Sequence, residues 1–203
     1  MKNVLTYQLK DHKIYKLRRD TLLIFAGFLL CLCFCTLLDA SAQNDPSKIK
    51  FPVPKGFSNQ LFYLQRDPNT NTIICSLNYD TDGKLVEDEP VKVYWVRYAD
   101  NGEIKDLNYI QRKFAYGIQS EFLGNNQYKL NFVSYKKFPM FLVKSEKDNK
   151  YHVYATVNNK KIQLERIFLR IEGGSFWVPN VKYVEVKGTN SSNDAPVTER
   201  LKV

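Results

Sequence analysis

Cysteine, histidine and long runs of one charge are all scarce in this chain, and each scarcity excludes something. Three of the four cysteines, Cys31, Cys33 and Cys35, fall in one apolar run near the N-terminus, leaving Cys75 alone in the remainder. A lone thiol forbids an internal disulfide, and a domain of this size has a core large enough to stand without one. Of the two histidines, His12 precedes the apolar run and only His152 lies beyond it. Any thiol–imidazole pair must therefore join Cys75 to His152, and a serine–histidine triad would need the same ring. The sequence has no nucleophile elbow to support a triad. The formal net charge is +9, but the charges are spread, with only short pairs such as Arg112-Lys113, Lys136-Lys137 and Lys160-Lys161. Without a basic stripe the chain does not read as a nucleic-acid binder. The ordinary reading of the charge is a solvated surface, and the sharper one is contact with anionic glycans or lipid headgroups.

What is present is, first, a leader. Thr21 to Leu38 are eighteen residues without a charge, preceded by Lys10, Lys13, Lys16, Arg18 and Arg19 and followed by Ala40-Ser41-Ala42. A basic segment, an apolar core and a small-x-small end together predict a signal peptide over residues 1–42, cut before Gln43. Eighteen helical residues also reach about 27 Å, close to a bilayer's hydrocarbon thickness, so the alternative is an uncleaved anchor over 21–38. Arg18 and Arg19 would then stay cytoplasmic. Both readings export residues 43–203, into the periplasm or medium, with the membrane met only through the N-terminal segment. A lipid anchor does not fit, because Leu30, Leu32 and Phe34 precede the three cysteines where a small residue is expected.

Residues 43–60 contain Pro52 and Pro54 and read as an extended connector on which Phe51, Val53 and Phe57 could dock. Short strand-like runs follow, separated by turn residues: 61–66, 72–79, 91–98, 118–123, 127–135, 139–144, 151–157, 161–171 and 181–186. Ile73, Cys75, Leu77 and Tyr79 share one face by alternation, whereas 91–98 (VKVYWVRY) is apolar on both faces, as in a central strand. In 161–171 the apolar phase slips, which predicts a bulge near Arg166. A single helix is expected over Asp106–Gly117, with Asp106 as cap, Leu107, Ile110 and Phe114 as its buried face and Gly117 as a left-handed stop. Residues 188–203 are polar and read as a disordered tail. The sum is an all-β domain over 61–187, mainly antiparallel, a sandwich or a barrel with one short helix, preceded by the signal or anchor helix.

The sharpest motif is Asn78-Tyr79-Asp80-Thr81-Asp82-Gly83 with Glu89 at loop position 12. Side-chain oxygens at Asn78, Asp80, Asp82 and Glu89 with glycine at position 6 match the spacing of a calcium loop. Asn78 departs from the usual Asp, the flanks are strands, and Pro90 blocks an exiting helix, so the competing reading is an acidic hairpin turn with no cofactor. Cys75 sits between Ile73 and Leu77, where a small buried hydrophobe is the ordinary role. Trp95, Trp177 and the many Tyr and Phe suit either core packing or sugar stacking. Asn190-Ser191-Ser192 is a formal glycosylation site. Glu121, Glu165 and Glu172 are isolated carboxylates that would make a hydrolase only if they converged in space.

The segments PVPKGFSNQLFYLQR, VYWVRYADNG and YIQRKFAYG resemble a family of small exported bacterial proteins known only as a domain of unknown function, over roughly residues 50–187. The resemblance implies an envelope location and carries no site residue. The expectation is a non-enzymatic envelope module that binds a small ligand, a glycan or another envelope protein. An envelope hydrolase and a purely structural protein are the alternatives.

Overall fold

A computed structural model describes residues 50–175 and 178–202. The expected signal or anchor segment over 1–42, and Trp177, lie outside the described residues. The remainder carries eleven strands: β1 (Gln60–Arg66), β2 (Asn69–Leu77), β3 (Val91–Arg97), β4 (Glu103–Asp106), β5 (Ile118–Gly124), β6 (Gln127–Phe132), β7 (Tyr135–Lys144), β8 (Tyr151–Val157), β9 (Lys160–Gly174), β10 (Pro179–Asn190) and β11 (Pro196–Lys202). One short helix, α1 (Tyr109–Gln111), runs on into a π-turn over Arg112–Tyr116. Among the described residues no helix is long and apolar enough to cross a membrane.

The strands form one curled sheet in the order β4-β3-β2-β1-β9-β8-β7-β6-β5, with β10 paired to β9 and β11 to β10. All pairings are antiparallel except β1 with β9. The fifteen-residue strand β9 organises the curl. One edge pairs with β10 along most of its length. The other edge serves β8 over Lys160–Gln163 and then β1 over Arg166–Leu169. Between these stretches the register against β10 slips from Gly188↔Leu164 to Lys187↔Arg166, leaving Glu165 unopposed. This is the bulge the phase slip predicts, and it bends the strand where its partner changes. Gly188 sits opposite the bend, where a Cβ would lie 1.9 Å from the Gln163 carbonyl oxygen.

The curl brings β1–β3 over β6–β9. Phe62, Leu64, Ile73, Cys75, Val93 and Trp95 pack with Leu130, Met140, Leu142, Val153 and Ile162 in one buried cluster. Phe62 meets Phe132 edge to face across it, at 6.3 Å. A second, smaller cluster of Tyr63, Ile74 and Val96 lies on the outer face under Phe57, Tyr94 and Tyr98. That covering explains why the run 91–98 reads apolar on both faces. The segment before β1 completes it: Phe51 packs on Phe168 at 5.0 Å, and Gln65 Nε2 donates to the Pro52 carbonyl at 2.6 Å. Val53 does not dock and is 59% exposed.

The architecture is mostly β with one short helix, and three expectations need correcting. Between sandwich and barrel, the sheet is a half-barrel: β3 and β5 face each other without pairing. The helix starts three residues later than expected, because β4 consumes Glu103–Asp106 as the partner of β3. Asn108, not Asp106, caps it, in a reciprocal box with Gln111. Leu107 is buried ahead of the helix, while Ile110 and Phe114 are 46% and 56% exposed, so spacing alone misassigned the buried face. Gly117 is not left-handed; a Cβ there would lie 2.0 Å from the Arg112 carbonyl oxygen. Finally, residues 188–202 are not a disordered tail. They finish β10 and form β11, paired from Tyr183↔Lys202 to Thr189↔Pro196. Val197 and Leu201 alternate with the exposed Thr198, Arg200 and Lys202 and pack against the main cluster, a pattern that the polar average of the segment conceals.

Candidate functional site

The half-barrel has two ends. β1 starts with Gln60 at one end and finishes with Arg66 at the other, about 20 Å away for seven residues. At the Gln60 end a cleft of about 890 Å³ opens between the Tyr79–Glu87 loop and the β7–β8 turn. Tyr79, Tyr128 and Tyr151 line it. Each is in phase with buried core residues of its own run: Tyr79 with Ile73 and Cys75, Tyr128 with Leu130 and Phe132, Tyr151 with Val153 and Ala155. The inward phase points these rings at the cavity, and the strand ends leave them at the rim. Tyr128 is buried as floor, and Tyr79 is 39% exposed. Burial raises the Tyr128 and Tyr151 hydroxyls above their usual range, so both are protonated donors at neutral pH.

Three lysines and one carboxylate, Glu87, share the lining with the rings. Lys84, Lys144 and Lys150 line the same cleft, and Lys144 Nζ lies 5.9 Å from the Tyr151 ring centroid. The Tyr151 hydroxyl donates to Asn126 Oδ1 at 3.4 Å. Aromatic faces, ammonium groups and amides in one open hollow suit a polar, ring-shaped, anionic ligand.

His152 lies at the edge of this cleft with both ring nitrogens engaged. Asp148 Oδ2 is 2.7 Å from Nε2, and Gln163 Nε2 is 3.1 Å from Nδ1. The Lys150 backbone N–H and the His152 ring hold the Asp148 carboxyl below its usual range. Cys75 is fully buried in the main cluster, where burial pushes its thiol far above the ordinary cysteine range. Among the described residues no hydrogen bond joins Cys75 to His152, and the thiol is not a nucleophile in this state.

The Asn78–Glu89 segment forms the cleft's outer wall. Asp80 Oδ1 accepts from the backbone N–H groups of Asp82 (2.9 Å) and Lys84 (2.8 Å). Asn78 Nδ2 donates to the Glu89 carbonyl at 2.9 Å, and the Glu89 carboxylate faces Arg112 Nη1 at 3.3 Å. A Tyr79↔Leu85 bridge closes the turn. Asp82 makes no side-chain hydrogen bond among the described residues. Among the described residues no group of three or more His, Cys, Asp or Glu side chains is gathered closely enough to hold a metal ion.

The three isolated glutamates lie apart. Glu121 pairs with Lys129 at 3.7 Å in the seam between β3 and β5, a cleft of about 750 Å³ that it shares with Asp88 and Glu89. Glu165 borders an outer-face hollow beside Arg166. Glu172 pairs with Arg170 and Lys182 at 3.4 and 3.8 Å. Sequence spacing does not bring the tyrosines of the cleft together, because they come from three distant runs. The signal that could have found them is an aromatic in the core phase, next to an Asn- or Gly-containing turn.

No curated protein matches this chain, and no solved structure does. One family profile matches, over residues 62–200, a span that takes in most of β11 and so reaches beyond the residues carrying the resemblance. With more than half its length covered by that profile, the chain belongs to the family described as Domain of unknown function (DUF4833).

Proposed function

We propose that the chain is an exported, non-enzymatic binding module whose recognition site is the tyrosine-lined cleft at the Gln60 end of the half-barrel. The leader pattern of residues 1–42 supports export to the cell envelope or medium. One observation carries the site: Tyr79, Tyr128 and Tyr151, from three separate runs, meet Lys84, Lys144 and Lys150 in a single open cleft. Rings offer stacking faces to sugars, and lysines offer charge to carboxylates, so acidic oligosaccharides are the favoured ligand class. The burial of Cys75 and the dispersal of Glu121, Glu165 and Glu172 support a binder over a hydrolase.

The test is titration of the purified protein with neutral and uronic-acid oligosaccharides, read by calorimetry. Binding of the acidic members is expected. Tyr79→Ala is expected to weaken it about 5- to 30-fold, a stacking loss of roughly 1–2 kcal/mol, with an unchanged melting temperature. Absence of binding throughout the panel, or binding indifferent to Tyr79→Ala, rejects the reading.

A further inference from the structure

The opposite end of the half-barrel holds a second, smaller cleft of about 340 Å³, floored by Trp95 and bordered by Arg66, Asn71, Lys105, Asn108 and Gln111. We propose that it is a binding site for an oxyanion, a phosphate or sulfate group carried on a small organic body.

The hydrogen-bonding atoms of the cleft are unequally used. Asn71 Oδ1 accepts from the Ala99 backbone N–H at 3.1 Å, and Asn108 Oδ1 accepts from the Gln111 N–H at 2.9 Å. Gln111 Oε1 accepts from both the Asn108 N–H (3.1 Å) and the Trp95 indole N–H (3.3 Å). Asn69, also on the rim, gives its Oδ1 to the Asn71 N–H at 2.7 Å. Each amide oxygen is pinned by a donor that cannot become an acceptor, so none of these side chains can flip. Their NH₂ groups donate to no other described residue. Each of these amide oxygens already accepts a hydrogen bond, and each NH₂ group is left to donate.

The charges agree. Arg66 forms no ion pair among the described residues; its guanidinium lies 5.6 Å from the Tyr116 ring centroid, which holds it at the cleft. Lys105 also has no carboxylate partner among them. Arg97 is satisfied by Asp100 at 2.7 Å and Glu103 at 3.3 Å. Asp106, the one carboxylate in the cleft's lining, has Oδ1 3.8 Å from Lys92 and is 67% exposed. Two unpaired cations and several pinned amide donors outnumber the single, exposed carboxylate of Asp106 and call for a ligand that is nearly all acceptor. A tetrahedral oxyanion is that ligand, and guanidinium is its best single partner. The volume is at the small end of ligand pockets, larger than a bare ion needs.

Two-dimensional NMR of the purified protein tests this. Inorganic phosphate and a sugar phosphate monoester are titrated separately at constant ionic strength, with chloride as the balancing anion. The side-chain NH₂ signals of Asn71, Asn108 and Gln111 and the Trp95 indole signal are expected to shift and saturate with the monoester. Lys105→Met, on an exposed strand position, and Arg66→Met are each expected to weaken binding at least fivefold. Tighter binding of the monoester than of phosphate identifies the organic body as part of the ligand, and equal binding assigns the site to the free ion. No saturable shift at these amides with either probe, or affinity unchanged in Lys105→Met, overturns the proposal. The tyrosine cleft lies at the other end of β1, so Tyr79→Ala leaves this titration unaltered whether or not that cleft binds sugar.

Discussion

Asp67, just past the end of β1, forms an ion pair with Arg170 of β9, 103 positions away, and does so at 2% exposure. The two strands are the parallel pair of the sheet, and the Asp67 backbone N–H also donates to the Leu169 carbonyl at 3.0 Å. The pair thus locks the crossing point of the curl. Its other oxygen, Oδ1, is buried without a partner among the described residues.

The arrangement predicts an unequal effect of removing each partner. Arg170→Met leaves a carboxylate buried and unpaired, which costs about 3–5 kcal/mol. Asp67→Asn removes the buried charge while keeping the shape, and Arg170 is still served by Glu172 at 3.4 Å. The expected loss there is smaller, about 1–3 kcal/mol. Urea unfolding of both variants checks the order; Asp67→Asn proving the more damaging would refute this account of the pair.

Most of this fold was legible in the sequence, and the failures share a cause. Alternation found the run 151–157 residue for residue as β8, and the slip between Leu164 and Ile167 gave the bulge, because both are local signals. Strand β4 was missed because Glu103–Asp106 is exposed throughout, so its apolar pattern is blank and only its pairing with β3 defines it. Strand β11 was missed for a similar reason: Val197 and Leu201 are diluted by four polar or charged neighbours and a proline. The helix was misplaced because Leu107, Ile110 and Phe114 have helical spacing whether or not a partner covers them, and only Leu107 is covered. The two clefts were invisible, since each gathers side chains from elements far apart in the chain. Spacing cannot report that the amide oxygens of Asn71 and Asn108 are spent.

Glu199 of β11 ties the C-terminal strand to the turn between β8 and β9. Lys160 Nζ pairs with Oε1, and Asn158 Nδ2 donates to Oε2 at 2.8 Å. These contacts, the Lys160 one foremost, hold the Glu199 carboxyl below the usual glutamate range. A depressed folded value means the stabilisation is complete above the unfolded value and lost as pH falls through the folded one. The expected result is a melting temperature that declines below about pH 4, with a shallower decline in Glu199→Gln. Asp148 is depressed in the same sense, so some acid sensitivity persists in the variant. Melting curves between pH 7 and 3 decide it: identical slopes for both proteins mean Glu199 is not held as described.

The Asn78–Glu89 loop offers the last contrast, between a turn and an ion site. If Asp80 acts as a turn former, its value lies in the two backbone N–H groups it accepts, and calcium is irrelevant to it. Asp80→Ala is then expected to destabilise by up to about 1 kcal/mol, equally in calcium and in chelator. Asp82→Ala is expected to change nothing in either buffer, because its carboxylate caps no described group. A calcium loop predicts the reverse pattern. The ion would raise the melting temperature by binding linkage, and Asp82→Ala and Glu89→Gln would each abolish that rise. It would also have to draw Glu89 away from Arg112, at 3.3 Å, and take Asp80 Oδ1 from the two N–H groups that hold the turn. Both displacements act against binding, so the expected outcome is coincident melting curves in the two buffers, with Asp80→Ala alone shifted.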